Sequence, residues 1–295
     1  MPSGDPFALP ARPPQEVVAA PAQPAAKPRN RGGLRGRIAS AGSAIAALFA
    51  KFFTAIKAGL LLLPKAKLLT TSGTALLSVA AYSLFWGWPF AAGFVLLIFV
   101  HEMGHVVALR REGIKASAPT FIPFMGAVIA ARSLGDNALA EARVGLAGPL
   151  LGTIGSALVL VAGELLHSDM LKALAYVGFL LNLFNMIPVT PLDGGRAMAA
   201  MAPWMWFAGL AVMAVLMLLA PNPILLFILV IGALDTWRRW KARSTRSLEQ
   251  AAYYRVSPRG RMIVGLAYVG LIAALAFGME TAHVLASGGH SFGSI

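Results

Sequence analysis

No cysteine occurs among the 295 residues. That absence removes disulfides, thiol nucleophiles and Cys-based zinc sites from consideration. Charge is also scarce, at 13% of residues against about 25% in soluble domains. Apolar residues make up 58%, and the mean hydropathy is +0.71. This balance excludes an ordinary cytosolic enzyme, a disordered chain and a small disulfide scaffold. The apolar residues are gathered into long runs, as in polytopic helical membrane proteins. Negative charge is the scarcer sign, with 12 acidic residues against 25 basic ones. A sequence pI near 10.8 would suggest nucleic acid in a soluble protein. In a membrane protein the same excess records topology, and no nucleic-acid partner is expected.

Residues 1–40 are rich in Pro and Ala and end in the basic stretch KPRNRGGLRGR. Such a segment cannot bury a core and reads as a disordered basic tail. No apolar run follows its basic residues directly, so it is not a signal peptide. Residues 41–68 are apolar but carry Lys51, Lys57, Lys65 and Lys67. They read as an interfacial helix with snorkelling lysines, a full span being the alternative. Candidate spans follow at 69–87, 88–109, 144–166, 172–200, 204–220, 223–236 and 262–284. The expected fold is an all-α polytopic membrane protein of six to seven transmembrane helices over 69–285. A flexible tail, 286–295, closes the chain. With the N-terminus in the cytosol, all but Lys172 of the 25 lysines and arginines fall on the cytosolic side, as the positive-inside rule asks.

The chemistry concentrates in His101-Glu102-Met103-Gly104-His105, inside an apolar run. Residues four apart share a helix face, so two imidazoles can reach one ion. Zn²⁺ accepts such nitrogens, and Glu102 beside them can serve as general base on a metal-activated water. Two histidines and a glutamate can also be satisfied polar groups on a helix. Within a span that alternative is weak, because intramembrane ionisable groups are costly and mark function. His101 lies nine residues before Arg110, hence about 13 Å from the cytosolic edge of a helix.

Catalytic zinc takes three protein ligands and keeps a position open. His167, His283 and His290 fall at the outer surface or in the tail. Asp193 is the best third candidate, in the stretch NMIPVTPLDGGR of the fourth span. Pro188 and Pro191 break the helix there, and Gly194-Gly195 permit close backbone approach. Irregular backbone at membrane depth is tolerated only where it lines a cavity or is buried in protein. A Pro/Gly turn with Asp as a helix cap is the bland alternative.

These residues resemble the site-2 protease family of intramembrane zinc metalloproteases. The likeness rests on the HEMGH helix, on Asn185-x-x-Pro188 leading to Leu192-Asp193-Gly194-Gly195, and on Ala147-Gly148-Pro149 between them. It covers roughly 70–285. It implies that His101, His105 and Asp193 ligate zinc, that Glu102 is the catalytic base, and that Asn185 holds the substrate backbone or the developing oxyanion. It further implies a three-helix core from 88–109, 144–166 and 172–200, and a membrane-associated hairpin within 113–142 that can receive a substrate strand. The partners implied are the lipid bilayer and a single-span transmembrane substrate, with a regulatory partner left open. The location implied is a bacterial inner membrane, with the zinc site in the cytosolic half. The spacing leaves no room for a PDZ module between the first two core spans, and no nucleotide-sensing domain is expected after the last. A metal-binding membrane protein or transporter without proteolysis remains the competing class.

Gly148 and Gly152 suit close helix packing. Trp86, Trp88, Trp204 and Trp206 suit interface belts. Arg238 to Arg261, a strongly basic segment, suits contact with anionic lipid.

Overall fold

The computed structural model describes residues 71–133, 135–244 and 248–286. The expected tail 1–40, the interfacial helix 41–68 and the tail beyond 286 lie outside the described residues. Among the described residues the regular structure is helical apart from one short hairpin. Helix α1 (Thr71–Trp86) leads into α2 (Trp88–Arg111), then β1 (Thr120–Ile122) and β2 (Gly126–Val128). Helices α3 (Ala138–Leu165), α4 (Asp169–Asn185), α5 (Asp193–Ala200), α6 (Met205–Leu219), α7 (Pro223–Ser244), α8 (Leu248–Tyr253) and α9 (Pro258–Ala286) follow. Of these, α2, α3 and α9 are long and apolar enough to cross a membrane, and α6 is a shorter apolar helix.

Local signals explain the boundaries. Pro89 sits in the first turn of α2, where its missing N–H costs nothing, and Arg110 and Arg111 lie in the last turn against the negative end of the helix dipole. Asn137 caps α3, its side-chain oxygen accepting from the Ala140 N–H at 2.9 Å. Ser168 caps α4 in the same way through Leu171.

Helix α3 packs on α2, α4, α5 and α9, and so sits at the centre of the fold. One apolar cluster, including Phe179, Met186, Met198, Trp206 and Leu275, joins α4, α5, α6 and α9. A second, including Tyr82, Phe94, Leu97, Phe121 and Leu174, joins α1, α2, β1 and α4. The outer faces are as apolar as the inner ones. Leu150, Ile154 and Leu158 on α3 and Met262, Leu266, Val269 and Phe277 on α9 are exposed. Exposed apolar surface on this scale needs lipid rather than water beside it.

The hairpin is antiparallel, with Phe121 opposite Ala127. It docks on α1 through backbone donors: the Phe121 N–H donates to Thr74 Oγ1 at 3.1 Å, and the Phe124 N–H to Tyr82 Oη at 3.0 Å. Phe124 occupies a left-handed conformation (φ 65°) after Pro123. Its ring is held edge-on against Tyr82 and Phe85, which offsets the cost of that backbone.

Four sequence expectations change in detail. Helix α3 begins at Ala138, not 144, because the charges of its first turns have partners. Glu141, 1% exposed, accepts two hydrogen bonds from Arg239 (2.9 and 3.2 Å) and one from the Tyr253 hydroxyl at 2.5 Å. Arg143 pairs with Glu112 at 3.0 Å. Secondly, the span expected from 172 begins at Asp169, and the break expected at Pro188 and Pro191 separates two helices, α4 and α5. Thirdly, α7 continues to Ser244, and Arg239 on it turns inward to Asp235 and Glu141 instead of facing lipid. Burial and the adjoining Glu141 carboxylate push the Tyr253 hydroxyl well above its ordinary range. Finally, Trp206 is fully buried, unlike Trp86, Trp88 and Trp204. Its indole N–H donates to the Gly195 carbonyl at 2.8 Å, and the Arg239 guanidinium lies 5.5 Å from its ring centroid.

Candidate metal centre

Helix α2 presents His101 and His105 on one face, one turn apart, with their rings edge-to-face at 4.9 Å. Asp193 arrives from the start of α5. The helix can restart there because Gly194 and Gly195 lie directly on the preceding segment. A Cβ at Gly194 would run into the Met186 carbonyl, and one at Gly195 into the backbone of Val189 and Thr190. Asp193 Oδ2 is 3.1 Å from His101 Nε2 and 3.2 Å from His105 Nε2. The two Nε2 atoms are 3.2 Å apart. All three residues are buried.

The outer contacts of this triangle decide what it can hold. His105 Nδ1 lies 2.8 Å from the Val144 carbonyl oxygen, which can only accept. His101 Nδ1 lies 2.8 Å from Asn182 Oδ1. In a neutral imidazole only one nitrogen carries hydrogen. With both Nδ1 atoms donating, both Nε2 atoms present lone pairs. Two such nitrogens and a carboxylate oxygen then converge with no proton among them. That arrangement is repulsive by itself and favourable around a cation. Its edges fit zinc: a tetrahedron with bonds of about 2.0–2.1 Å has ligand atoms about 3.3–3.4 Å apart. The donor set, two imidazoles and one carboxylate, is also one that zinc accepts. Arg196, one turn on from Asp193, faces its other oxygen, Oδ1, at 3.6 Å.

The central helix α3 leaves room for the rings. A Cβ at Gly148 would strike the imidazoles of His105 and His101, and one at Gly152 would strike the Asn182 amide. Gly104 on α2 lies against the Ala147 carbonyl in the same way. The glycine pair read from the sequence as helix packing therefore provides the space beside the ligands.

Of the residues singled out from sequence, His101, His105 and Asp193 are brought together. Glu102 is adjacent on α2, half-buried. No hydrogen bond joins Asn185 to the triangle among the described residues: its amide donates to the Leu181 carbonyl of its own helix at 3.2 Å. Asn182, one turn earlier and 1% exposed, is the asparagine that touches a ligand. Sequence reading missed it. Its only signal was a second asparagine one helical turn before the first, on a helix otherwise apolar there.

Fold and centre together define a helical membrane protein with a buried His-His-Asp group able to hold a metal ion. Residues 89–169, about a quarter of the chain, match the model of Peptidase family M50. The chain is 30% identical over 129 residues to the zinc metalloprotease MJ0392 of Methanocaldococcus jannaschii, covering 42% of this chain and 37% of that one. It is 35% identical over 121 residues to Rip3 of Mycobacterium tuberculosis, also named for the zinc metalloproteases, covering 37% and 30%. The similarity to EGY2 of Oryza sativa, a chloroplast protein named likewise, is 29% over 149 residues, covering 36% and 27%. The chain thus spans 27 to 37% of the length of these relatives.

Proposed function

We propose that the protein is a zinc-dependent intramembrane endopeptidase that hydrolyses transmembrane segments of other membrane proteins. One observation carries the reading: two imidazoles from a membrane-spanning helix and a carboxylate from a broken one converge at 3.1–3.2 Å, with Glu102 beside them. His101, His105 and Asp193 hold the ion. Zinc there supplies Lewis-acid polarisation and makes water acidic enough to attack near neutral pH. Glu102 takes a proton from the attacking water as its oxygen bonds to the scissile carbonyl carbon. It passes that proton to the amide nitrogen as the C–N bond breaks. Asn185, at the end of α4, holds the substrate backbone or the oxyanion. In support, relatives similar to part of this chain are named zinc metalloproteases.

The substrate helix must unwind first, because its carbonyls are shielded by their own hydrogen bonds. Strand β2 offers the unwound backbone a partner. The Phe121 N–H points outward to Thr74. Its opposite residue Ala127 therefore belongs to a non-hydrogen-bonded pair, and its own N–H and C=O face away from β1. β2 also packs beside α2, the helix of His101 and His105. Substrates with Gly, Pro or Asn near the cut unwind at least cost. The distribution of basic residues supports an N-terminus and a zinc site on the cytosolic side, in a protein of six to seven spans in a bacterial inner membrane.

The test is reconstitution in liposomes with a single-span substrate. Cleavage within the substrate's membrane segment is expected, lost on chelation and restored by Zn²⁺. A metal-loaded protein that cuts no membrane segment would favour the transporter class. Ala127→Pro removes one outward donor and leaves the β1–β2 ladder intact. A lost backbone hydrogen bond of about 0.5–1.5 kcal/mol should lower kcat/KM about 2–10-fold. Ala127→Ser, which keeps the N–H, should match wild type. Equal rates for the proline variant would remove β2 from the substrate path.

A further inference from the structure

The two histidines of the centre are oriented by different means. His105 leans on a backbone carbonyl, that of Val144, which no side-chain substitution removes. His101 leans on a side chain, that of Asn182. We infer that Asn182 is a positioning residue for the zinc centre: it fixes the tautomer and ring angle of His101 and thereby sets metal affinity. The inference rests on the reading of His101 as a ligand.

The hydrogen-bond network settles which way the amide faces. Asn182 Nδ2 donates to the Gly178 carbonyl at 2.7 Å. An amide turned the other way would set two oxygens against each other there. Oδ1 therefore faces His101 and accepts from Nδ1–H, and Nε2 keeps its lone pair for the ion. Without the acceptor, His101 can carry its hydrogen on either nitrogen, and the form with hydrogen on Nε2 cannot ligate. The site is built for this one amide. Asn182 is fully enclosed, Gly152 of α3 clears the space in front of it, and its helix leads into the segment that delivers Asp193. One stretch of chain thus carries a ligand and the partner of another ligand. Outer partners of this kind orient imidazoles and raise their basicity toward the metal.

Three variants decide the matter, read by zinc competition against a chelator and by the absorption spectrum of the Co²⁺-substituted protein. Asn182→Leu keeps the volume and removes the acceptor. Asn182→Ala adds no atom beside Gly152 and serves if the leucine variant does not fold. Both should lower zinc affinity about 10–100-fold and alter the Co²⁺ spectrum. Asn182→Asp keeps the acceptor oxygen toward His101 but sets its second oxygen against the Gly178 carbonyl, a repulsion that protonation of that oxygen relieves, so its zinc affinity should fall between wild type and Leu. A purely structural role would lower thermal stability without changing the zinc affinity of the folded fraction. Affinity within threefold of wild type for Leu or Ala, or a loss for Asp as large as for Leu, would overturn the inference. Failure of wild type to take up zinc would instead overturn the metal assignment itself.

Discussion

Glu102→Gln is expected to lower cleavage of a reconstituted single-span substrate by about 10²–10⁴-fold, the usual worth of a positioned general base. At 1.36 kcal/mol per decade this is about 3–5 kcal/mol of barrier. The amide has the shape of the carboxylate and cannot take a proton. Because Glu102 is not one of the three converging residues, zinc content should stay stoichiometric. Size is diagnostic: a tenfold loss would make Glu102 a positioning group, and equal cleavage would remove it from the mechanism. Loss of zinc together with activity would show that Glu102 serves the ion rather than the proton.

Asp193→Ala should strip the centre instead. Structural zinc sites are worth about 10–16 kcal/mol over four ligands, so one ligand carries about 3–4 kcal/mol. That corresponds to about a 10²–10³-fold loss of zinc affinity, measurable by chelator competition, with cleavage falling in parallel. Asp193→Asn separates charge from shape. It keeps an oxygen toward the histidines but removes the negative charge that also faces Arg196, so it should bind zinc more weakly than wild type and more tightly than Ala. Stoichiometric, tight zinc in Asp193→Ala would show that the ion has another third ligand.

The two variants pull apart the two parts of the centre, proton transfer and metal retention. Their contrast distinguishes a protease from a metal-carrying protein of similar fold. A transporter would be indifferent to Glu102→Gln and sensitive to Asp193→Ala.

Much of this centre was legible in the chain because its signals are local. His101 and His105 are four apart on one helix, and helical geometry alone puts them on one face. Pro188, Pro191 and the paired glycines announce a broken helix wherever they occur. The third ligand was reached by excluding the other histidines on topology, which needs only the placing of lysines and arginines. The hairpin was expected within 113–142 and lies at 120–128. Boundaries were less secure where charge misled. Glu141 and Arg143 made the first turns of α3 look like loop, since hydropathy counts a charge without knowing whether it has a partner.

The sequence by itself determined the membrane class, the approximate helices and the three converging side chains, because each follows from composition or from spacing within one segment. Only the tertiary structure decided which asparagine touches His101, that Trp206 is buried against Gly195, and that Arg239 turns inward to Glu141. These depend on which face of a helix meets its neighbour. In a water-soluble helix an apolar stripe would reveal that face. Here lipid and protein interior are equally apolar, so the inner and outer faces carry similar residues. Only packing, through the clearances at Gly148 and Gly152, selects between them.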